Sequence, residues 1–236
     1  LTGTTRDPAC CDKESEESFL SRLAVSRVDQ DVNGKLPTAD EDSPSLAEES
    51  AWLAQLQQGD RQAFARIYER YRVRIYSFLL RLCGRRDQAD DLLQDTFVQL
   101  ARHASRLRAG TQLGPWLYTV ARNRFLGQRR TAMSRLAQLR DFFFGHHPGA
   151  LQLASGPQQS ASERQEIAQL EAALQHLSPP LREVILLVAV EELDQNQAAE
   201  VLGLQPAALR KRLERARAQL QSILSQSERG GSDGNP

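Results

Sequence analysis

Phe64, Ile67, Tyr68, Tyr71, Ile75, Phe78, Leu79, Leu82 and Cys83 recur at steps of three and four residues. That spacing lines them along one face of a long helix, and a face so apolar must be buried against other helices. The same period runs from Ala51 to residue 135 and returns from Glu163 to residue 226, and no segment alternates as a strand would. Residues 136–162 lose the period and gain Gln, Ser, Gly and Pro, the composition of a flexible linker. Residues 1–50 are polar and acidic with scattered apolar side chains, and residues 227–236 are polar; both read as disordered. The expected fold is all-α, with small helical domains at 51–135 and 163–226.

Local signals place the helix ends. Gly59 suits the position after a helix over Ala51–Gln58, and Asp60 suits the N-cap of the long helix, which should stop at Gly84. A third helix is expected from about Asp87 and a fourth from Pro115 to Arg130, with Ser105–Gly114 as the loop between them. Gly127 weakens that fourth helix by about 1 kcal/mol relative to Ala, and is expected to end or bend it early. In the second domain Ile167, Leu170, Ala173, Leu174 and Leu177 form one stripe, and Ser178 caps the next helix ahead of Pro179 and Pro180. Asp194 with Gln197 reads as a capping box for a short helix closed by Gly203; Pro206 opens the last helix, to about Leu224. In the linker, Phe142-Phe143-Phe144 suits either a partner surface or a local cluster, and His146-His147 reads as linker composition.

Charge narrows the function. The formal net charge is zero but segregated: residues 1–50 carry five basic and twelve acidic side chains, a net of −7, and residues 51–135 carry sixteen arginines against six acids, a net of +10. A basic block of that size reads as a nucleic-acid surface; the acidic arm, which taken alone reads as a solvated stretch, is expected to weaken free DNA binding by competing for it. Cys10 and Cys11 are adjacent and Cys83 lies on the apolar face, which fits a reducing, cytoplasmic compartment. No His or Cys cluster has zinc spacing, and no phosphate-cradling glycine loop or nucleophile–base pair stands out. Neither a metal, nor another cofactor, nor enzymatic activity is expected. No apolar run approaches the roughly 18 residues of a membrane span and no signal peptide is readable after Leu1, so no membrane insertion is expected.

Three helices carry chemistry. At 100° per residue, Ala89, Leu92, Leu93, Thr96, Phe97, Leu100 and Ala104 share one side, and Asp91, Gln94, Asp95, Val98 and Arg102 the other. An acidic strip on so basic a domain repels phosphates and suits a basic protein surface, although on its own it also fits a solvated face. The next helix anchors on Leu117, Val120 and Ala121, leaving Trp116, Tyr118, Arg122, Asn123, Arg124, Phe125, Arg129 and Arg130 for its remaining surface. Aromatic faces beside guanidinium groups stack unpaired bases, and Asn123 offers a donor and an acceptor to a flipped base. Trp116 suits a core position equally well. The last helix should bury Leu209, Leu213, Ala216 and Leu220 and turn Ala207, Ala208, Arg210, Lys211, Glu214 and Arg215 outward. Its small first residues admit the backbone to a major groove, Lys211 and Glu214 suit guanine and cytosine edges, and the arginines hold phosphate.

Asp60-Arg-Gln-Ala-Phe64, Asp90-Asp-Leu-Leu-Gln-Asp-Thr-Phe97 and Trp116-Leu-Tyr-Thr-Val-Ala-Arg-Asn123, followed by Leu177-Ser-Pro-Pro-Leu-Arg-Glu-Val-Ile185 through Arg215-Ala-Arg217, make the chain recognisable. It resembles the extracytoplasmic-function (ECF) subfamily of bacterial RNA polymerase sigma factors, with region 2 over about 51–135 and the helix-turn-helix of region 4 over about 165–224. The resemblance implies that Asp91, Gln94, Asp95 and Val98 bind the clamp helices of the polymerase β′ subunit. It implies that Asn123, with Arg122 and the preceding loop, captures a base flipped from the −10 element, beside Trp116, Tyr118, Arg129 and Arg130. Ala207, Ala208, Arg210, Lys211, Glu214 and Arg215 would read the −35 element, and region 4 would dock on the β flap. The linker would thread toward the RNA exit channel, and an anti-sigma factor would be a further partner of a chain that is monomeric outside the holoenzyme.

The chain departs from the family pattern in four places. Gly127 stands where many relatives have an acid, Ala207-Ala208-Leu209 replaces a frequent Gly-Thr-Val, Gln205 is a poor N-cap, and the acidic extension is long. The expected function is promoter-directed transcription initiation by binding alone. The alternatives are a polymerase-independent helix-turn-helix regulator, which predicts dimers and palindromic half-sites, and a degenerate sigma-like adaptor.

Overall fold

The computed structural model describes residues 46–139 and 161–230, and among them eight α-helices and no strand. The arm before Leu46, with Cys10 and Cys11, the Phe142-Phe143-Phe144 run, His146-His147 and the residues after Gly230 lie outside the described residues. α1 spans Leu46–Gln57, α2 Arg61–Cys83, α3 Arg86–His103 and α4 Leu113–Leu139, with a 3₁₀ turn at Ala104–Arg106. In the second domain α5 spans Ala161–His176, α6 Pro179–Ile185, α7 Gln195–Leu202 and α8 Pro206–Gly230, and a π turn at Leu186–Val190 continues α6.

Most helix ends follow the local signals. Asp60 caps α2, its Oδ1 accepting from the Gln62 amide at 2.8 Å, and Gly84 ends it at a left-handed φ of 74°. Asp194 and Gln197 complete the capping box, each side chain accepting from the other's backbone amide. Four expectations are corrected. α1 begins at Leu46, not Ala51, with Glu48 and Glu49 in its first turn where the helix dipole favours acids. α4 begins at Leu113 and runs through Gly127 without ending, because packing of its anchors outweighs one weak residue. It also extends past residue 135, into the segment expected as linker. Ser178 occupies the N-cap of α6 but makes no side-chain cap; its carbonyl accepts from Leu181 and Arg182 instead.

In the first domain α2 is the central helix, packed on α1, α3 and α4. Ile67, Tyr71, Ile75, Phe78 and Leu79 of α2 meet Leu92, Phe97 and Leu100 of α3 and Leu117, Ala121 and Phe125 of α4 in the buried core. Phe64 stacks on Tyr68, and both meet Phe97 edge-on, which fixes α3 against α2. In the second domain α8 packs across α5, α6 and α7, burying Leu209, Leu213, Ala216 and Leu220 against Leu174, Ile185 and Leu202.

The two domains do not stand apart. α4 packs on α7, and α2 meets α5 and α6, so the buried apolar cluster draws on both domains. At the end of α2, Leu79, Leu80, Arg81 and Leu82 are all buried, which no single stripe produces; one side of the helix faces its own domain and the other faces α5 and α6. There the Arg81 Nε donates to Glu171 Oε1 at 2.9 Å, with side chains 1% and 2% exposed. Arg182 donates to the carbonyls of Leu174, Gln175 and Leu177 at the end of α5 and of Arg81 and Leu82 near the end of α2. These carbonyls lie at the negative poles of two helices, so one buried guanidinium serves both ends, with Gln175 Nε2 adding a second donor to the Arg81 carbonyl. Burial, then repulsion from Arg129, lowers the Arg182 pKa from its usual value.

Candidate nucleic-acid interface

α3 divides as its sequence implies. Ala89, Leu92, Thr96, Phe97 and Leu100 are buried, while Asp91, Gln94 and Asp95 are exposed beside a half-buried Val98. The three polar side chains are thus free of core packing, and the face is open to a partner. The buried Thr96 hydroxyl is satisfied within the helix, donating to the Leu92 carbonyl at 2.7 Å.

α8 divides as cleanly. Gly203, at φ 64°, turns the chain out of α7, and the Gln205 carbonyl accepts from Ala208 and Leu209 to start α8. Four apolar anchors face inward, and Ala207, Ala208, Arg210, Lys211, Glu214 and Arg215 are all exposed. The helix-turn-helix thus presents three basic and one acidic side chain behind a start of two alanines, the form of a groove-reading helix.

α4 is mixed. Asn123, Arg124 and Arg130 are exposed, Trp116 is half-buried against the core, and the Arg129 guanidinium sits 5.7 Å from the Phe125 ring centroid. Phe125 is itself buried, and so is Tyr118, at 1% exposed. Tyr118 packs edge-on against Phe78, and its hydroxyl donates to Glu191 of the second domain. Burial, then the Glu191 charge, pushes the Tyr118 phenol well above its ordinary pKa, so it remains a donor. Arg122 donates to Glu183 Oε2 at 2.9 Å; its side chain is 17% exposed and that of Glu183 3%. The expectation that Tyr118 and Arg122 lie on an open surface is thus corrected: the Tyr118 ring packs on Phe78 in the first domain's own core with its hydroxyl on Glu191, and Glu183 covers Arg122.

Arg74 completes the group, its Nε 3.3 Å from Glu191 Oε2 and its Nη2 donating to the Glu191 carbonyl at 2.7 Å. Burial works against the Arg74 charge, but Tyr118 and Glu191 more than offset it and raise its pKa. The loop ahead of α4 is held from two sides: Gln57 Nε2 donates to the Leu107 carbonyl at 2.8 Å, and Gln197 Nε2 to Gln112 Oε1 at 2.7 Å. Arg74, Glu183, Glu191 and Arg182 are the residues that the helical wheels missed. A signal was present, since Arg182 and Glu183 directly precede the apolar run Val184–Val190 and Glu191 closes it, leaving charges where solvent is scarce. Among the described residues no cluster of His, Cys, Asp and Glu has the makings of a metal site, and no helix is long and apolar enough to cross a membrane. Cys83 is half-buried, its thiol donating to the Arg85 carbonyl and raised in pKa by burial.

Two family profiles match this architecture: sigma-70 region 2 over residues 67–135 and sigma-70 region 4 over residues 167–220. The RNA polymerase sigma factor CnrH of Cupriavidus metallidurans is 31% identical over 179 residues, covering 72% of this chain and 91% of its own. The ECF RNA polymerase sigma factor EcfG of Rhodopseudomonas palustris is 30% identical over 148 residues, covering 63% of this chain and 77% of that one. Among solved structures, the sigma factor RpoE of Bartonella quintana, bound to the anti-sigma factor NepR, superposes with a TM-score of 0.56 at 27% identity over 69% of this chain and 96% of that one. With both regions present in order and relatives matched over most of their length, the chain belongs to the extracytoplasmic-function subfamily of bacterial RNA polymerase sigma factors.

Proposed function

We propose that this sigma factor acts in the cytoplasm as a non-enzymatic, dissociable subunit that brings core RNA polymerase to a restricted set of promoters. Asp91, Gln94, Asp95 and Val98 bind the β′ clamp helices, and the second domain docks on the β flap. Ala207, Ala208, Arg210, Lys211, Glu214 and Arg215 read the −35 element. Asn123, with Trp116, Arg122, Arg129 and Arg130, holds the melted −10 strand. The co-crystal structure of the Bartonella quintana relative with the anti-sigma factor NepR supports a partner of that kind for this chain as well. The observation that carries the reading is the exposure, in one chain, of an acidic strip on α3 and a basic groove-reading face on α8, each opposite a fully buried stripe. Polymerase fixes the spacing of the two domains, so weak contacts at two promoter elements gain from effective concentration.

The test is run-off transcription with purified core polymerase and a promoter library. Transcripts should arise from templates sharing two unlike elements, and Asn123→Ala should impair open-complex formation more than core binding. A protein with no affinity for core polymerase would end the reading.

A further inference from the structure

We propose that α1 is a positioning element for promoter melting: Gln57, and Glu49 acting through Tyr71, hold the two ends of the loop between the 3₁₀ turn and α4, so that the loop is already shaped when a flipped −10 base reaches it. The inference rests on the proposed role of the α4 face. α1 lies ahead of the residues matched to region 2, yet it packs on α2 and on the 3₁₀ turn Ala104–Arg106, burying Leu53 and Leu56. At its C-terminal end Gln57 Nε2 donates to the Leu107 carbonyl at 2.8 Å, where the loop begins. Near its N-terminal end Glu49 Oε1 accepts from the Tyr71 hydroxyl at 2.6 Å. That hydroxyl stands 3.5 Å from the place a Cβ on Gly114 would occupy, so Tyr71 backs the chain where the loop gives way to α4.

Glu49 and Gln57 are eight residues apart on one helix, about 12 Å along its axis, so a single rigid rod spans both contacts. Between them the loop is shaped by its own bonds. The Arg108 carbonyl accepts from the Thr111 amide at 3.1 Å and from the Thr111 hydroxyl at 2.8 Å, closing a turn whose third residue, Gly110, has a φ of 83°. That position of such a turn needs a positive φ, which glycine adopts without strain. The tip, Ala109-Gly110, carries no long side chain and follows the exposed Arg108, so its backbone is open to a base edge and the guanidinium to a phosphate. The Gln57 bond positions more than it stabilises, because ordering a long side chain offsets most of what one hydrogen bond to a carbonyl returns. A loop set in advance loses little freedom when it closes on a base, and that difference goes directly into capture. All of these residues belong to the first domain, so the arrangement does not depend on where the second domain sits.

The experiment forms holoenzyme from purified core polymerase and the full chain, and selects from a single-stranded DNA library randomised over the −10 element. Sequencing the retained strands reads the preference for each base at each position. Gln57→Met keeps the length of the side chain and removes its donor. The strongest positional preference of the wild type should then fall about fivefold, with affinity for core polymerase and preference at the other positions unchanged. Gln57→Lys, which returns a donor of similar reach, should restore most of it. Tyr71→Phe repeats the test at the other anchor, and decides it alone if Gln57→Met loses its helical circular dichroism. Unchanged preference, a loss spread evenly over all positions, or a loss that Gln57→Lys leaves in place overturns the inference. Failure of the underlying functional reading shows differently, as a wild-type holoenzyme that selects no base at any position.

Discussion

α4 and α8 are both arginine-rich helices expected to meet DNA, yet the fold treats them differently. α8 shows one buried stripe and one exposed face, and each residue expected outside is outside. α4 is packed on α2 and α3 along one side and on α7 along another, so Tyr118 and Arg122 are covered while Asn123 and Arg130 stay open. A helix at the edge of a body obeys its own periodicity. One held between two bodies takes its exposure from whichever partner arrives second, and a wheel drawn from the sequence has no term for that partner.

Substitutions at three positions test the contrast, in falling order of effect. Arg182→Met leaves the carbonyl ends of α5 and α2 without their shared donor and should cost about 3 kcal/mol in urea unfolding. Arg182→Lys should restore less than half, because one ammonium cannot fork to five carbonyls. A loss under about 0.5 kcal/mol would mean that water serves those carbonyls equally well. Tyr118→Phe keeps the ring against Phe78 but removes the donor to Glu191, and should cost about 1 kcal/mol in thermal unfolding. A surface tyrosine would show no change, and that result would return α4 to the simple amphipathic pattern. Gly127→Ala should stabilise by about 0.7 kcal/mol, since α4 runs straight through a site with open space around a new Cβ. Destabilisation there would show that the glycine serves a close approach.

Much of the molecule was legible before any coordinates. The Asp60 and Asp194 caps and the Gly84 and Gly203 stops arise from interactions within four residues, and the stripe from Phe64 to Leu82 and the partition of α3 and α8 follow the helical period. Such interactions are written directly in the order of side chains. The start of α1 and the persistence of α4 beyond Gly127 were less legible, because marginal helical propensity is settled by what the helix packs on.

The linear chain determined two helical bodies, their charge segregation and the families of surface they display. Only the tertiary structure decided which charges are surface at all. Arg122 meets Glu183 across 61 residues of sequence and Tyr118 meets Glu191 across 73, so no local pattern announces either pair. The physical reason is that the state of a charged side chain depends on the water excluded around it and on the partner that replaces that water, and both are properties of packing in space.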